Sequence, residues 1–336
     1  MSLPHLALYR KYRPQTFSDV VGQEQLVTLL ESSIKQKKIS HAYLFCGGRG
    51  TGKTTVARIF ARDIGCNPED IIEIDAASNR GIDEIRELRD AVRTSPFSSP
   101  YKVYIVDEAH MLTKEAANAL LKTLEEPPSH VIFILATTDP EKLLATIVSR
   151  CQKIIFQSPA LSTLADRLVY VAKEEEKVLD EDAALLIARH GKGSYRDALG
   201  ILEQVLTVGE KTITLEDTIL QLGTPDKSIL LDLLKALCAK DEKEITHTIV
   251  FLQKKNNSAL KTYDEFLEII RTGLLIRVGE VKSQDEQLTN LTKEHGTTIG
   301  SKLILTLLEK RHLLEVSDNY SWSAFLAILL FEVEIV

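Results

Sequence analysis

Gly47-Gly48-Arg49-Gly50-Thr51-Gly52-Lys53-Thr54 follows the apolar run Tyr43-Leu44-Phe45-Cys46 and opens Lys53–Ile64, where Val56, Ile59 and Phe60 share one helical face. The octet has the pattern G-x-x-x-x-G-K-[ST]. A strand, this loop and a helix together form a phosphate cradle. Successive backbone N–H groups and the helix N-terminus surround an anion, the lysine reaches β- and γ-phosphate oxygens, and the last hydroxyl faces Mg2+. Glycine is needed where the backbone must approach phosphate closely. ATP and Mg2+ are therefore the expected ligands, with Gly47, Gly50, Thr51, Gly52, Lys53, Thr54 and Thr55 on the nucleotide and Thr54 also on the metal.

Outward from this loop, short apolar runs alternate with helical stripes. Ile71–Ile74 precedes Ile82, Ile85 and Leu88; Val103–Val106 precedes Ala117, Leu120, Leu121 and Leu124; Val131–Leu135 follows. This alternation predicts an α/β fold, a parallel sheet with crossover helices, over residues 1–157. Val103-Tyr104-Ile105-Val106-Asp107-Glu108 ends in two carboxylates. Beside a P-loop, that run suits a strand tip holding Mg2+ with Asp107 and polarising water with Glu108; alone, it would equally suit a strand entering a solvated turn. Open α/β sheets bind ligands at the carboxyl ends of their strands, so Gly47, Asp107 and Thr137-Thr138 are expected to converge. Pro127-Pro128 predicts the end of one helix, and Asp139-Pro140 the start of another.

All ten prolines lie at or before Pro225. Beyond it, Ile229, Leu230, Leu233, Leu234, Leu237 and then Ile299, Leu303, Leu307, Leu308 repeat a helical stripe, which predicts an all-helical domain over residues 225–336. Between them, over residues 158–224, helices are expected to open at Ser162, Asp180, Ser194 and Thr214, with Gly191 and Gly209 closing two. The run Ala324–Phe331 is too short to span a bilayer, and no start pattern resembles a signal peptide, so a cytoplasmic protein with no membrane partner is expected. Cys46, Cys66, Cys151 and Cys238 show no C-x-x-C spacing and read as reduced, mostly buried thiols. Net charge is −7, with the acidity in the second half, so composition gives no global basic footprint for nucleic acid.

Beyond these patterns, the sequence resembles the AAA+ clamp-loader ATPases, and within them the gamma/tau family of bacterial DNA polymerase III. The matching stretches are Tyr12-Arg13-Pro14-Gln15-Thr16-Phe17, Val20-Val21-Gly22-Gln23-Glu24, His41–Phe45 leading into the P-loop, and Glu73-Ile74-Asp75-Ala76-Ala77-Ser78. They continue with Asp107-Glu108-Ala109-His110-Met111-Leu112, Asn118–Pro128, Leu135–Pro140, Ser149-Arg150-Cys151 and Gly193-Ser194-Tyr195-Arg196-Asp197-Ala198. The match is dense to about residue 200 and thin beyond it.

The resemblance implies a RecA-like ATP-binding domain over 1–157, a helical lid over 158–224 and a helical collar over 225–336 that oligomerises. Thr138, with Thr137 beside it, matches the sensor 1 position, although Thr and Asp before Pro140 also suit a helix cap. Arg196 matches sensor 2, a cation on the lid that reaches nucleotide. Arg150 matches the arginine finger inserted into a neighbouring subunit's ATP site; a lone Arg ending a helix also serves as a dipole partner. Arg13 and Val21 match the segment lining the adenine pocket, where apolar residues equally suit core packing. Lys53, Glu108, Thr138, Arg150 and Arg196 are thus the expected catalytic set. Arg80 and Lys114, near helix starts, are candidate contacts to DNA phosphates, with solvated surface cations as the plain alternative.

The implied partners are other clamp-loader subunits (gamma/tau copies, delta and delta-prime), the sliding clamp and primer-template DNA. The family usually carries a four-cysteine zinc module after the P-loop helix. Here Cys66-Asn67-Pro68-Glu69-Asp70 runs directly to the next strand, so no zinc is expected. The sequence stops at Val336, without the long extension of the tau type, as in a gamma-length or shortened chain. Two other readings are a stator-type subunit that keeps the fold without hydrolysing ATP, and another AAA+ DNA motor such as a Holliday-junction branch migrator. The intact Lys53, Asp107 and Glu108 weigh against the first, and the acidic, helical last hundred residues against the second.

Overall fold

Alternation of side chains along the strands decides how the first part of the chain is layered. The computed structural model describes residues 6–79, 81, 88, 91–208, 211–223, 225–255, 257–280, 286–296, 298–315 and 318–333. By contacts the chain forms two units, Met1–Leu215 and Glu216–Val336. In the first, parallel strands β1 (Ala42–Gly47), β2 (Ile71–Asp75), β3 (Lys102–Asp107), β4 (Val131–Thr137) and β5 (Gln152–Phe156) form one sheet in the order β2-β3-β4-β1-β5. Its described α-helices are α1 (Leu8–Lys11), α2 (Glu24–Lys35), α3 (Lys53–Asp63), α4 (Lys114–Glu125), α5 (Ala145–Val148), α6 (Leu161–Glu174), α7 (Glu181–His190) and α8 (Tyr195–Val208).

Tyr43, Phe45, Val103, Ile105, Ile132 and Ile134 face one side and pack with Leu26 and Leu30 of α2 and Val56, Ile59 and Phe60 of α3. Leu44, Tyr104, Val106, Phe133 and Leu135 face the other, against Ala117, Leu120 and Leu124 of α4. Because helices cover both faces, β1 and β4 can be apolar at nearly every position. Leu88 and Val92 belong to this second layer, while the rest of the helix expected at Ile82–Leu88 lies outside the described residues. β5 gives no strand signal in the sequence. It is an edge strand in which Gln152, Lys153 and Ile155 are exposed and only Ile154 and Phe156 face the core.

α4 stops at Glu125, two residues before Pro127-Pro128. Asp139-Pro140 opens only the single 3-10 turn Pro140–Lys142, and the following helix starts at Ala145. The lid helix expected at Ser162 begins at Leu161, with Ala160 as N-cap and no side-chain cap bond. Asp180 caps α7 and Gly191 closes it. Ser194 precedes α8, and its Oγ accepts the Asp197 N–H at 3.2 Å; Gly209 lies outside the described residues. Leu164, Leu168, Ile187, Leu199 and Leu202 form the lid's core, to which Leu8 contributes a buried side chain and Tyr9 and Tyr12 partly buried ones. The first helix therefore belongs to the same core as α6 and α8.

The second unit is helical throughout its described residues. α9 (Leu215–Leu222) straddles the division; α10 (Lys227–Ala239), α11 (Glu242–Lys254), α12 (Ala259–Val278), α13 (Glu286–Glu294), α14 (Ser301–Lys310) and α15 (Asp318–Ala327) follow. Leu230, Leu233, Leu234 and Leu237 are buried as their stripe predicts, as are Ile299, Leu303 and Leu307. Leu308 is 52% exposed, one position off that stripe. The run ending at Phe331 packs through Phe325, Ile328 and Leu329, and Phe325 sits against Tyr263, Trp322 and Phe266 at centroid distances of 4.9, 6.1 and 6.2 Å. Among the described residues no helix is long and apolar enough to cross a membrane.

Candidate active site

β1, β4 and β3 lie side by side and run parallel, so Gly47, Thr137 and Asp107 end at the same edge of the sheet. A cleft of about 1130 Å³ opens there. It is lined by Gly50, Thr51, Gly52, Lys53, Thr54 and Thr55 of the loop and helix, by Asp107 and Glu108, and by Arg13, Val21 and Arg196. Gly47, Thr138 and Arg150 do not line it.

Gly52 caps α3 with φ +102°, a left-handed conformation that an L side chain resists. This turn directs the first N–H groups of α3 outward, where they have no partner within the helix. Lys53 is 6% exposed, and its Nζ donates to the carbonyl oxygens of Gly47 and Gly48, both at 2.8 Å. Burial lowers its pKa, while Glu108 and Asp107 nearby oppose that shift. Thr54 Oγ1 donates to Asp107 Oδ2 at 2.7 Å. A hydroxyl and a carboxylate oxygen in contact are the hard donors that suit Mg2+. Asp107 Oδ1 also accepts the Glu108 N–H at 3.0 Å. Glu108 itself has φ +47°, strained for a residue with a Cβ, and such strain concentrates at functional sites.

Of the two sensor candidates, Thr137 is fully buried, and its Oγ1 accepts the Asp139 N–H at 3.0 Å. Thr138 carries the hydroxyl that contacts Glu108, donating to its Oε2 at 3.2 Å. Arg13 Nε donates to Thr55 Oγ1 at 2.9 Å, and burial, with Arg58 nearby, lowers the guanidinium's pKa. Arg150 lies elsewhere. It donates to the Thr146 carbonyl oxygen at 2.8 Å and to Glu125 Oε1 at 2.6 Å. Lys114 is exposed at the first position of α4, and Arg80 lies outside the described residues.

The lid meets the loop directly. Tyr195 N–H donates to the Gly50 carbonyl oxygen at 3.0 Å, and Tyr195 Oη donates to the Val21 carbonyl oxygen at 3.0 Å. One lid residue thus touches both the phosphate loop and the segment bordering the rest of the cleft. In the sequence Tyr195 stands within the Gly193–Ala198 motif, with no local pattern that assigns it these contacts. Near the absent module, Cys66 Sγ donates to the Tyr101 carbonyl oxygen at 3.2 Å, and burial pushes its pKa up to about 11. Among the described residues no three His, Cys, Asp or Glu side chains form a metal-binding group.

The sheet order, the P-loop after β1, the paired carboxylates after β3 and the helical lid together define an AAA+ P-loop fold. The RuvB Holliday junction branch migration motor of Thermotoga maritima has the same fold, with a TM-score of 0.53 at 21% identity over 67% of this chain and 79% of that one. A family described as "DNA polymerase III, delta subunit" matches residues 22–80 and 69–160, and one described as "DNA polymerase III clamp loader subunit, ATPase lid domain" matches residues 163–211. DNA polymerase III subunit tau of Bacillus subtilis is 40% identical over 82% of this chain and 53% of its own length; that of Escherichia coli is 37% identical over 86% and 47%. DNA polymerase III subunit gamma of Buchnera aphidicola is 37% identical over 79% of this chain and 78% of its own. The chain belongs to the gamma/tau family of DNA polymerase III clamp-loader subunits, and it spans about half the length of the two tau relatives.

Proposed function

We propose that this chain is an ATPase subunit of a clamp-loader complex, using ATP binding and hydrolysis to load a sliding clamp onto primer-template DNA in the cytoplasm. The observation that carries the reading is the Thr54–Asp107 hydrogen bond at 2.7 Å, with Glu108 beside it in the P-loop cleft. Residues 1–157 would form the ATP-binding domain, 158–224 the lid, and 225–336 the collar that joins gamma/tau copies, delta and delta-prime.

In this reading the loop N–H groups and the N-terminus of α3 bind the β-phosphate, with Arg13 and Val21 bordering the adenosine. Lys53 exchanges the Gly47 and Gly48 carbonyls for β- and γ-phosphate oxygens. Bound Mg2+, held through Thr54 and Asp107, supplies charge neutralisation at the phosphates. Glu108, with Thr138 hydrogen-bonded to it, orients water for attack on the γ-phosphorus. As the new P–O bond forms, the bond to the β-phosphate oxygen breaks, ADP leaves with that electron pair, and the attacking water's proton passes by way of the Glu108 carboxylate to the inorganic phosphate released. Arg196 neutralises phosphate charge from the lid, and Arg150 of one subunit does so in the next. Lys114 and Arg80 are proposed contacts to DNA phosphates, which would make binding salt-dependent and independent of sequence.

The test is ATP turnover by the complex assembled with delta, delta-prime, clamp and primed DNA. Lys53→Ala should abolish the contribution of this chain; turnover equal to wild type would overturn the assignment.

A further inference from the structure

His110 lies in the 3-10 turn Ala109–Met111, immediately after the strained Glu108. Its side chain is 11% exposed. Nδ1 is 3.0 Å from Thr137 Oγ1 and 3.5 Å from Glu108 Oε2. The same Oε2 accepts from Thr138 Oγ1 at 3.2 Å. Thr137 is itself fixed, because it is fully buried at the end of β4 and its Oγ1 accepts the Asp139 N–H. A chain of contacts therefore runs from the sheet through Thr137 to the imidazole and on to the carboxylate. Thr138 closes the other side of that carboxylate.

We propose that His110 is a positioning residue for Glu108: the ring, anchored by Thr137, confines the carboxylate to the rotamer that faces Thr138. This rests on the reading of the site as an ATPase. A glutamate side chain is rich in rotamers, and an unconfined carboxylate would spend much of its time where it cannot orient water. Neither the P-loop nor the lid contacts depend on His110, so its loss should act on turnover and leave nucleotide affinity alone.

The experiment compares wild type, His110→Ala and His110→Asn as full chains. ATP affinity and melting temperature are measured on each chain, and kcat in the assembled complex with clamp and primed DNA. An asparagine amide can stand where Nδ1 stands and keep the contact to Thr137. His110→Ala should lower kcat roughly 10- to 100-fold, the scale expected for a displaced catalytic group. ATP affinity should stay within about twofold of wild type, since the ground-state contacts are untouched. His110→Asn should recover most of the rate. Wild-type kcat in His110→Ala, equal losses in both variants, or a loss traced to weaker ATP binding would each overturn the inference. Turnover equal to wild type in a complex carrying Lys53→Ala would instead sink the ATPase reading, and this inference with it.

Discussion

The lid's hold on the phosphate loop can be released by a single methyl group. Gly50 has φ +70°, and a Cβ there would lie 2.0 Å from Ser194 Oγ and 2.9 Å from Ser194 Cβ. The left-handed backbone alone costs an L residue about 1–2 kcal/mol. Ser194 would have to abandon the rotamer in which Oγ accepts the Asp197 N–H, a helix cap worth about 1 kcal/mol. Displacing that end of α8 also breaks the bond from Tyr195 N–H to the Gly50 carbonyl, worth about 1 kcal/mol. Together Gly50→Ala should disfavour the closed lid by about 3–4 kcal/mol, or two to three powers of ten in nucleotide affinity. Titration of the full chain with a fluorescent ATP analogue reads this loss. Repeating it in a Ser194→Ala background separates the lid from the phosphate contact, because removing Oγ relieves the shortest clash and should cut the penalty by about 1 kcal/mol. An affinity within about threefold of wild type, or an equal penalty in both backgrounds, would refute the reasoning.

Other perturbations test neighbouring features. Asp70 is buried, and its carboxylate accepts the N–H groups of Phe97, Ser98 and Ser99 at 2.6, 3.1 and 3.0 Å. Burial is the largest single influence and raises its pKa, but these hydrogen bonds together hold it below the usual carboxylate range. Its stabilisation is therefore complete above the unfolded value near pH 4 and is lost as pH falls toward the lower folded value. Asp70→Ala should cost about 2–4 kcal/mol at neutral pH and flatten the acid limb of the melting-temperature profile; an unchanged acid limb would show that the three N–H groups do not depend on this carboxylate. Arg150→Ala should leave ATP affinity of the chain unchanged while lowering turnover of the assembled complex by roughly 10³-fold. An equal loss of ATP binding by the variant chain on its own would argue against action on a neighbour.

At the P-loop the sequence was fully legible, because strand, glycine turn and helix are adjacent in the chain and each signals itself locally. The motif alone points to Thr54 and Asp107 as neighbours, and the structure shows their proximity as a 2.7 Å hydrogen bond. β1 and β4 were readable because both faces are covered. β5 was hidden because Gln152, Lys153 and Ile155 look outward and leave only two inward residues as signal. Leu308 departs from its stripe for a related reason: it stands five positions after Leu303 and one after Leu307, and the i, i+4 spacing of that pair does not say how wide the buried arc is. The contacts of Tyr195 with Gly50 and Val21, or of His110 with Thr137, had no local signal, since they depend on how elements far apart in sequence are brought together.

The placement of α1 bears on the order in which the polypeptide becomes structured during synthesis. Leu8 N–H donates to Glu203 Oε2 at 3.3 Å across 195 positions, and Leu8 is buried among α6, α7 and α8. The groups that cover the apolar side of the first helix are therefore synthesised only with the lid, more than 150 residues later. Loop closure over so long a span is entropically slow, so the side of the cleft lined by Tyr9, Tyr12 and Arg13 is completed late. Cutting the chain near residue 158 to isolate an ATP-binding piece would strand that helix; the shortest piece that keeps it covered runs to the end of α8.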